Sequence, residues 1–223
     1  MGNPEKSTED IKVPKSLGFL RDTSVSVSLT MTILFIIVAL AAGPSFVEEK
    51  LSAGQNYLVH AVLQAITFAA GVYIVLAGVR ILLAEIVPAF KGIADKVVPN
   101  AIPALDVPTV FPFASNAVVI GFFVSFAAGL VSMFLLPLFG LKVIVPGLVP
   151  HFFTGAAAGV FGNATGGRRG AVAGSFVNGL LISFLPAMLL PVLGSLGFEG
   201  TTFGDSDFGI VGIILGKVVA LFN

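Results

Sequence analysis

The chain has 223 residues, 11% of them charged and 56% apolar, with a mean hydropathy of +1.02. Twelve basic and 12 acidic residues balance, which leaves no electrostatic footprint for nucleic acid, and the lack of cysteine excludes disulfides and thiolate metal sites. A soluble domain carries about 25% charged residues, so this composition predicts an all-α protein whose solvent is a bilayer.

Residues 1–24 read as a polar N-terminal linker, with Lys6, Lys12, Lys15 and Arg21 set among Glu5, Glu9, Asp10 and Asp22. Those acids argue against a cleaved signal peptide, whose leading region is simply basic. Residues 25–223 read as a transmembrane block, in which each crossing needs about 20 mostly apolar residues. The first span is 25–43, closed by Pro44 and the charged Glu48, Glu49 and Lys50. The second, 57–83, carries His60, Gln64 and Thr67, with Arg80 near its end. The third is 118–140, the fourth a broken span at 143–163, the fifth 171–194, and the sixth, short, 208–222. Two histidines far apart, His60 and His151, do not suggest zinc.

Between the second and third spans, 85–116 holds prolines 88, 99, 103, 108 and 112. Each proline removes a donor and clashes one turn back, so a continuous helix is not expected. Two readings compete. One is a surface loop with a short amphipathic helix over 88–97. The other is a re-entrant segment, since irregular backbone survives at membrane depth only where protein buries it or it lines a water-filled cavity. Asp106 sits here between apolar neighbours. It is either a turn or cap carboxylate ahead of Pro108, or a functional carboxylate held at depth.

The stretch "HFFTGAAAGVFGNATGGRRG", 151–170, interrupts the apolar pattern. Gly162 and Gly167 have P-loop spacing, but Arg168 and Arg169 replace the lysine and hydroxyl and no strand pattern precedes them. Nucleotide binding is therefore rejected. Gly155 with Gly159, and Gly166, Gly170 and Gly174, are spaced four apart, as in helices that pack closely in lipid. Packing does not explain His151, Thr154, Asn163 and Thr165, which together suggest a helical hairpin with polar groups at its tip. Asn163, Ala164 and Thr165 also form a glycosylation sequon, a common triplet. Further on, Ser206 or Asp207 is expected to cap the last helix. Ser175 lacks a G-x-S-x-G elbow, so an intramembrane hydrolase is not indicated. Lysine and arginine excess marks cytoplasmic segments. It assigns 1–24, the segment holding Arg80, Lys91 and Lys96, and Arg168 with Arg169 to that side. The result is about six spans with both termini cytoplasmic.

Several long segments carry a family resemblance: "YIVLAGVRILLAEIVPAFKGIADKVVPN", "ALDVPTVFPFASNAVVIGF", "PHFFTGAAAGVFGNATGGRRGAVAGSFVNG" and "TTFGDSDFG". They resemble the L-ascorbate-specific membrane component, enzyme IIC, of the bacterial phosphoenolpyruvate-dependent phosphotransferase system. The resemblance implies a permease of the bacterial inner membrane that carries L-ascorbate inward. A cytoplasmic B subunit, charged through an A subunit, phosphorylates the sugar there, so the permease itself is no enzyme and needs no cofactor. It also implies a dimeric fold of about eleven spans in two inverted repeats with the substrate between them. The family chain is roughly twice this length, and the likeness covers its C-terminal half. That half is either active with a separately encoded N-terminal half or a transport-inactive fragment. By the resemblance, the carboxylate of "ALDVP", Asp106, contacts substrate. His151 and Thr154 of "PHFFTG" stand at the site edge or only stiffen the hairpin.

Overall fold

A computed structural model describes residues 2–11, 23–99 and 107–222, and all regular structure among them is helical. Contacts divide the chain into two compact units, Val13–Pro112 and the combination of Met1–Lys12 with Phe113–Asn223.

In the first unit, α1 (Thr23–Ala42) ends at Gly43, whose φ of 96° suits glycine. The chain then bends by 101° into α2 (Pro44–Leu51). Glu48 accepts from the Tyr57 amide at 3.1 Å, and Asn56 caps α3 (Tyr57–Lys96) by accepting from the Leu58 amide at 3.0 Å. α1 packs on α3. The buried residues of α3 form one stripe: Ala61, Ala65, Ala69, Val72 and Leu76. Its first three members are small and four apart, which lets two backbones approach closely.

Forty residues make α3 about 60 Å long, twice the hydrocarbon thickness of a bilayer. Its charges, Arg80, Glu85, Lys91, Asp95 and Lys96, all lie beyond the buried stripe. This corrects the expected break after 83. Pro88 sits inside the helix and costs it one hydrogen bond, which a long helix absorbs. The helix stops only before Pro99.

The second unit is built on α4 (Ser115–Leu135), α5 (Leu148–Ser195) and α6 (Ser206–Val219). α5 is not one rod. Gly167 has φ 60° and ψ −151°, and the helix folds back there into two arms, 148–166 and 168–195. The pairings across the fold prove the reversal. Backbone meets backbone at Gly162 and Gly170, and a Cβ on Gly174 would stand 3.2 Å from the Ala158 carbonyl. Ser175 donates to the Gly155 carbonyl at 3.1 Å, and Asn178 donates to Thr154 at 2.9 Å. Residues 24 positions apart bond directly, whereas a straight helix would separate them by about 36 Å. The expected hairpin is therefore present.

α4 lies along both arms. Gly121 abuts Gly155 and Gly159 on the first, and Gly179 of the second abuts the Ser125 carbonyl and Ala128. Gly209, Gly212 and Gly216 of α6 face Leu185, Leu189 and Val192 in the same order. α6 thus runs parallel to the second arm. The intervening residues 196–205 double back, turning at Gly197 (φ 84°) and Gly200 (φ 75°). N-terminal residues lie at the hairpin tip, so the end of α6 and the N-terminal segment stand at opposite ends of this unit. The extended return thus reverses the chain without a helix.

Among the described residues three helices, Tyr57–Lys96, Ser115–Phe139 and Leu148–Ser195, are long and apolar enough to cross a membrane, or four with the bent α1–α2 pair. α6, at 14 residues, is shorter than a crossing helix.

Residues 2–11, expected as linker, are docked on the hairpin tip. Thr8 is fully buried. Its amide donates to Asn163 Oδ1 at 2.8 Å, and Asn163 Nδ2 donates to Ser7 Oγ at 3.0 Å. The Arg168 amide donates to the Lys6 carbonyl at 2.9 Å. Glu9 reaches the start of α4, accepting from the amides of Asn116 at 3.3 Å and Ala117 at 3.0 Å. A remote carboxylate thereby satisfies orphan donors and complements the helix dipole. Asn163 is buried with both amide atoms engaged, so the sequon is not accessible in this fold.

A Cβ on Gly167 would collide with the Asn3 and Lys6 carbonyls, and its dihedrals fall where only glycine is at ease. Gly167→Ala is expected to destabilise the protein by about 2–4 kcal/mol and to expose 2–11 to protease. Thermal unfolding in detergent with limited proteolysis checks this, and an unchanged midpoint with intact protection would contradict it.

Candidate functional site

Besides the Thr8–Asn163 pair at the tip, the second unit holds a linked set of polar side chains near the base of the hairpin. His151, one turn into the first arm, is 2% exposed. Its Nδ1 lies 2.9 Å from Ser125 Oγ on α4. Asn178 on the second arm uses its two amide protons on Ser125 Oγ at 3.2 Å and Thr154 Oγ1 at 2.9 Å. Thr154 donates onward to the Pro150 carbonyl at 2.8 Å. One network therefore ties α4 to both arms.

Asn178 donates to Ser125 Oγ, and the direction of the bond between Ser125 Oγ and His151 Nδ1 follows the imidazole tautomer. The Cε1–Nε2 edge of the ring sits over Gly129. A Cβ there would stand 2.6 Å from both Cε1 and Nε2, so only glycine leaves room for the imidazole. Phe126 contacts the ring edge-on at a centroid distance of 5.7 Å.

Beside the ring lies a cavity of about 220 Å³, bounded by His151, Pro150, Ile182, Pro186, Phe203 and Gly204 among others. The return stretch forms one wall of it: Gly204 packs so tightly on Pro150 that a Cβ would fall 2.9 Å from the proline ring. A small pocket with apolar walls and a few fixed polar groups is the form expected of a small-ligand site.

His151 and Thr154, both singled out from sequence, belong to one network. Asp106 lies outside the described residues. Ser125 and Asn178 were missed, although the signal was available: an amide within an apolar run is costly unless it is partnered. Asp205, rather than Ser206 or Asp207, stands at the N-cap of α6, while Asp207 accepts from the Phe208 amide at 2.9 Å.

The profile of a family described as "PTS system sugar-specific permease component" (EIIC-GAT) matches residues 1–207. The chain belongs to this family. Among curated relatives, it is similar to the "Ascorbate-specific PTS system EIIC component" of Mycoplasma pneumoniae (strain ATCC 29342 / M129 / Subtype 1), 26% identical over 202 residues. The alignment covers 77% of this chain and 30% of that protein, so the chain spans less than a third of the relative's length. Family and apolar helices together make this permease component a multi-pass membrane protein.

Ser125→Ala removes the partner of His151 Nδ1 and one acceptor of Asn178. In the permease it is expected to cost about 1–3 kcal/mol, because buried polar groups lose their bonds. Ser132, whose hydroxyl only returns to the Ala128 carbonyl, is the control, and Ser132→Ala should change stability by less than about 0.5 kcal/mol. Equal unfolding midpoints for the two variants would contradict the network's role.

Proposed function

We propose that this chain forms half of an L-ascorbate permease of the bacterial inner membrane, importing the sugar for phosphorylation by cytoplasmic B and A subunits. The observation carrying this reading is the His151–Ser125–Asn178–Thr154 network beside its cavity. Linked polar side chains inside a membrane bundle either hold helices together or mark a ligand path, and the cavity beside His151 favours the second. Imidazole, amide and hydroxyl groups suit a small, hydroxyl-rich molecule. Ascorbate is favoured over other sugars by the name of the relative and by the sequence resemblance.

In this reading Asp106 accepts hydrogen bonds from substrate hydroxyls, as a charge-assisted partner stronger than a neutral one. His151 and Thr154 border the same substrate. The N-terminal segment faces the cytoplasm, as the lysine and arginine bias indicates. A separately encoded N-terminal half supplies the remaining contacts, and the complete permease is a homodimer. A transport-inactive fragment is the second reading, favoured by the 30% coverage of the relative.

Co-expression with an N-terminal half, followed by uptake of labelled ascorbate, separates the two readings. Transport supports the half-permease. Silence with both halves expressed favours the fragment. Given transport, Asp106→Asn and His151→Ala should each lower uptake about tenfold or more, the loss of one or two substrate hydrogen bonds. Undiminished uptake at normal expression would overturn the site assignment.

A further inference from the structure

At the hairpin tip, about 24 Å along the first arm from His151, a second cavity of about 430 Å³ opens between the docked N-terminal segment and the start of the second arm. It is bounded by Gly2, Asn3, Lys6, Gly166, Arg168 and Arg169. Three cations and no carboxylate border it. Glu9, in the same segment, is engaged by the start of α4. Arg168 is held in place by donating from Nε to the Ser7 carbonyl at 3.0 Å. No described carboxylate forms an ion pair with Lys6, Arg168 or Arg169.

The three cations are solvent-exposed, and sharing one hollow raises its attraction for an anion. The Arg168 amide bonds the Lys6 carbonyl, and Gly2 lies against Gly166 so closely that a Cβ would strike its carbonyl. Lys6 and the two arginines are brought together by backbone contacts, not by mutual attraction. Two glycines, Gly2 and Gly166, and three cations among its bounding residues leave room for a compact anion.

We propose that this notch binds a phosphate monoester. A dianion matches the charge better than a carboxylate does, and guanidinium groups suit phosphate oxygens. The choice of phosphate among anions rests on the phosphotransferase reading above, whereas the anion site itself rests on the geometry. Its occupant is either a small phosphorylated solute or the phosphate of a lipid headgroup.

The whole chain in zwitterionic phosphatidylcholine nanodiscs tests this through its unfolding temperature. Glycerol 3-phosphate should stabilise it saturably, and glycerol or sodium chloride at matched ionic strength should not. Arg169→Gln should weaken the apparent affinity about tenfold, the loss of one charge-assisted contact, with Arg169→Lys intermediate. Far-ultraviolet circular dichroism confirms that each variant folds. In a parallel arm, nanodiscs containing phosphatidic acid are compared with phosphatidylcholine alone. Stabilisation only in that arm, lost in Arg169→Gln, supports the site and assigns it to lipid. No stabilisation in either arm, an equal effect of salt, or equal affinity in Arg169→Gln would overturn the proposal. His151→Ala should leave the phosphate response unchanged even if ascorbate binding fails, so the two readings fail separately.

Discussion

Close approach of helix backbones is the constraint on which the second unit depends. Lipid offers apolar side chains no gain from burial, so helices must be held by dispersion and hydrogen bonds at short range. Glycine meets that need at Gly121, Gly155, Gly159, Gly162, Gly170 and Gly179, where any side chain would overlap a neighbour. The same approach brings Ser125, Thr154, Ser175 and Asn178 within reach of partners on other helices. Packing and polar satisfaction are thus one arrangement, and the histidine environment is a product of it.

The ends of the hairpin have different chemistry. At its base, a small cavity has largely apolar walls with His151 and Thr202 among them. At its tip, Lys6, Arg168 and Arg169 border a larger one. A neutral polar network is compatible with depth in a bilayer. A cluster of cations belongs at a water interface, where solvent screens it. The polarity of the permease unit is therefore written along one folded helix.

Much of this was legible in the sequence, because periodicity and glycine spacing report on helices directly. Gly170 and Gly174 of the expected ladder pack closely on the first arm, whereas Gly166 lies before the break at Gly167 and meets Gly2; the polar residues of 151–170 announced a hairpin. Proline counting misled over α3, where Pro88 alone is tolerated and the helix runs on to Lys96. The direction of α6 was hidden, since hydropathy gives no sign of the extended return through Gly197 and Gly200. Ser125 and Asn178 went unnoticed as single polar residues in apolar runs. Their meaning lies in a meeting between helices that no linear pattern records. The docking of Thr8 on Asn163 joins residues 155 positions apart and was equally invisible.

At Gly162, Gly170 and Gly174 the two hairpin arms meet backbone to backbone, so no side chain at those three positions fixes their alignment. Hydrogen bonds do so at two places: Thr154 and Ser175 with their partners toward the base, and Asn163 with the N-terminal segment at the tip. Mechanically, the glycines act as a runner and the polar pairs as stops. Shear between the arms is resisted at discrete points that a ligand at either end is placed to engage or release.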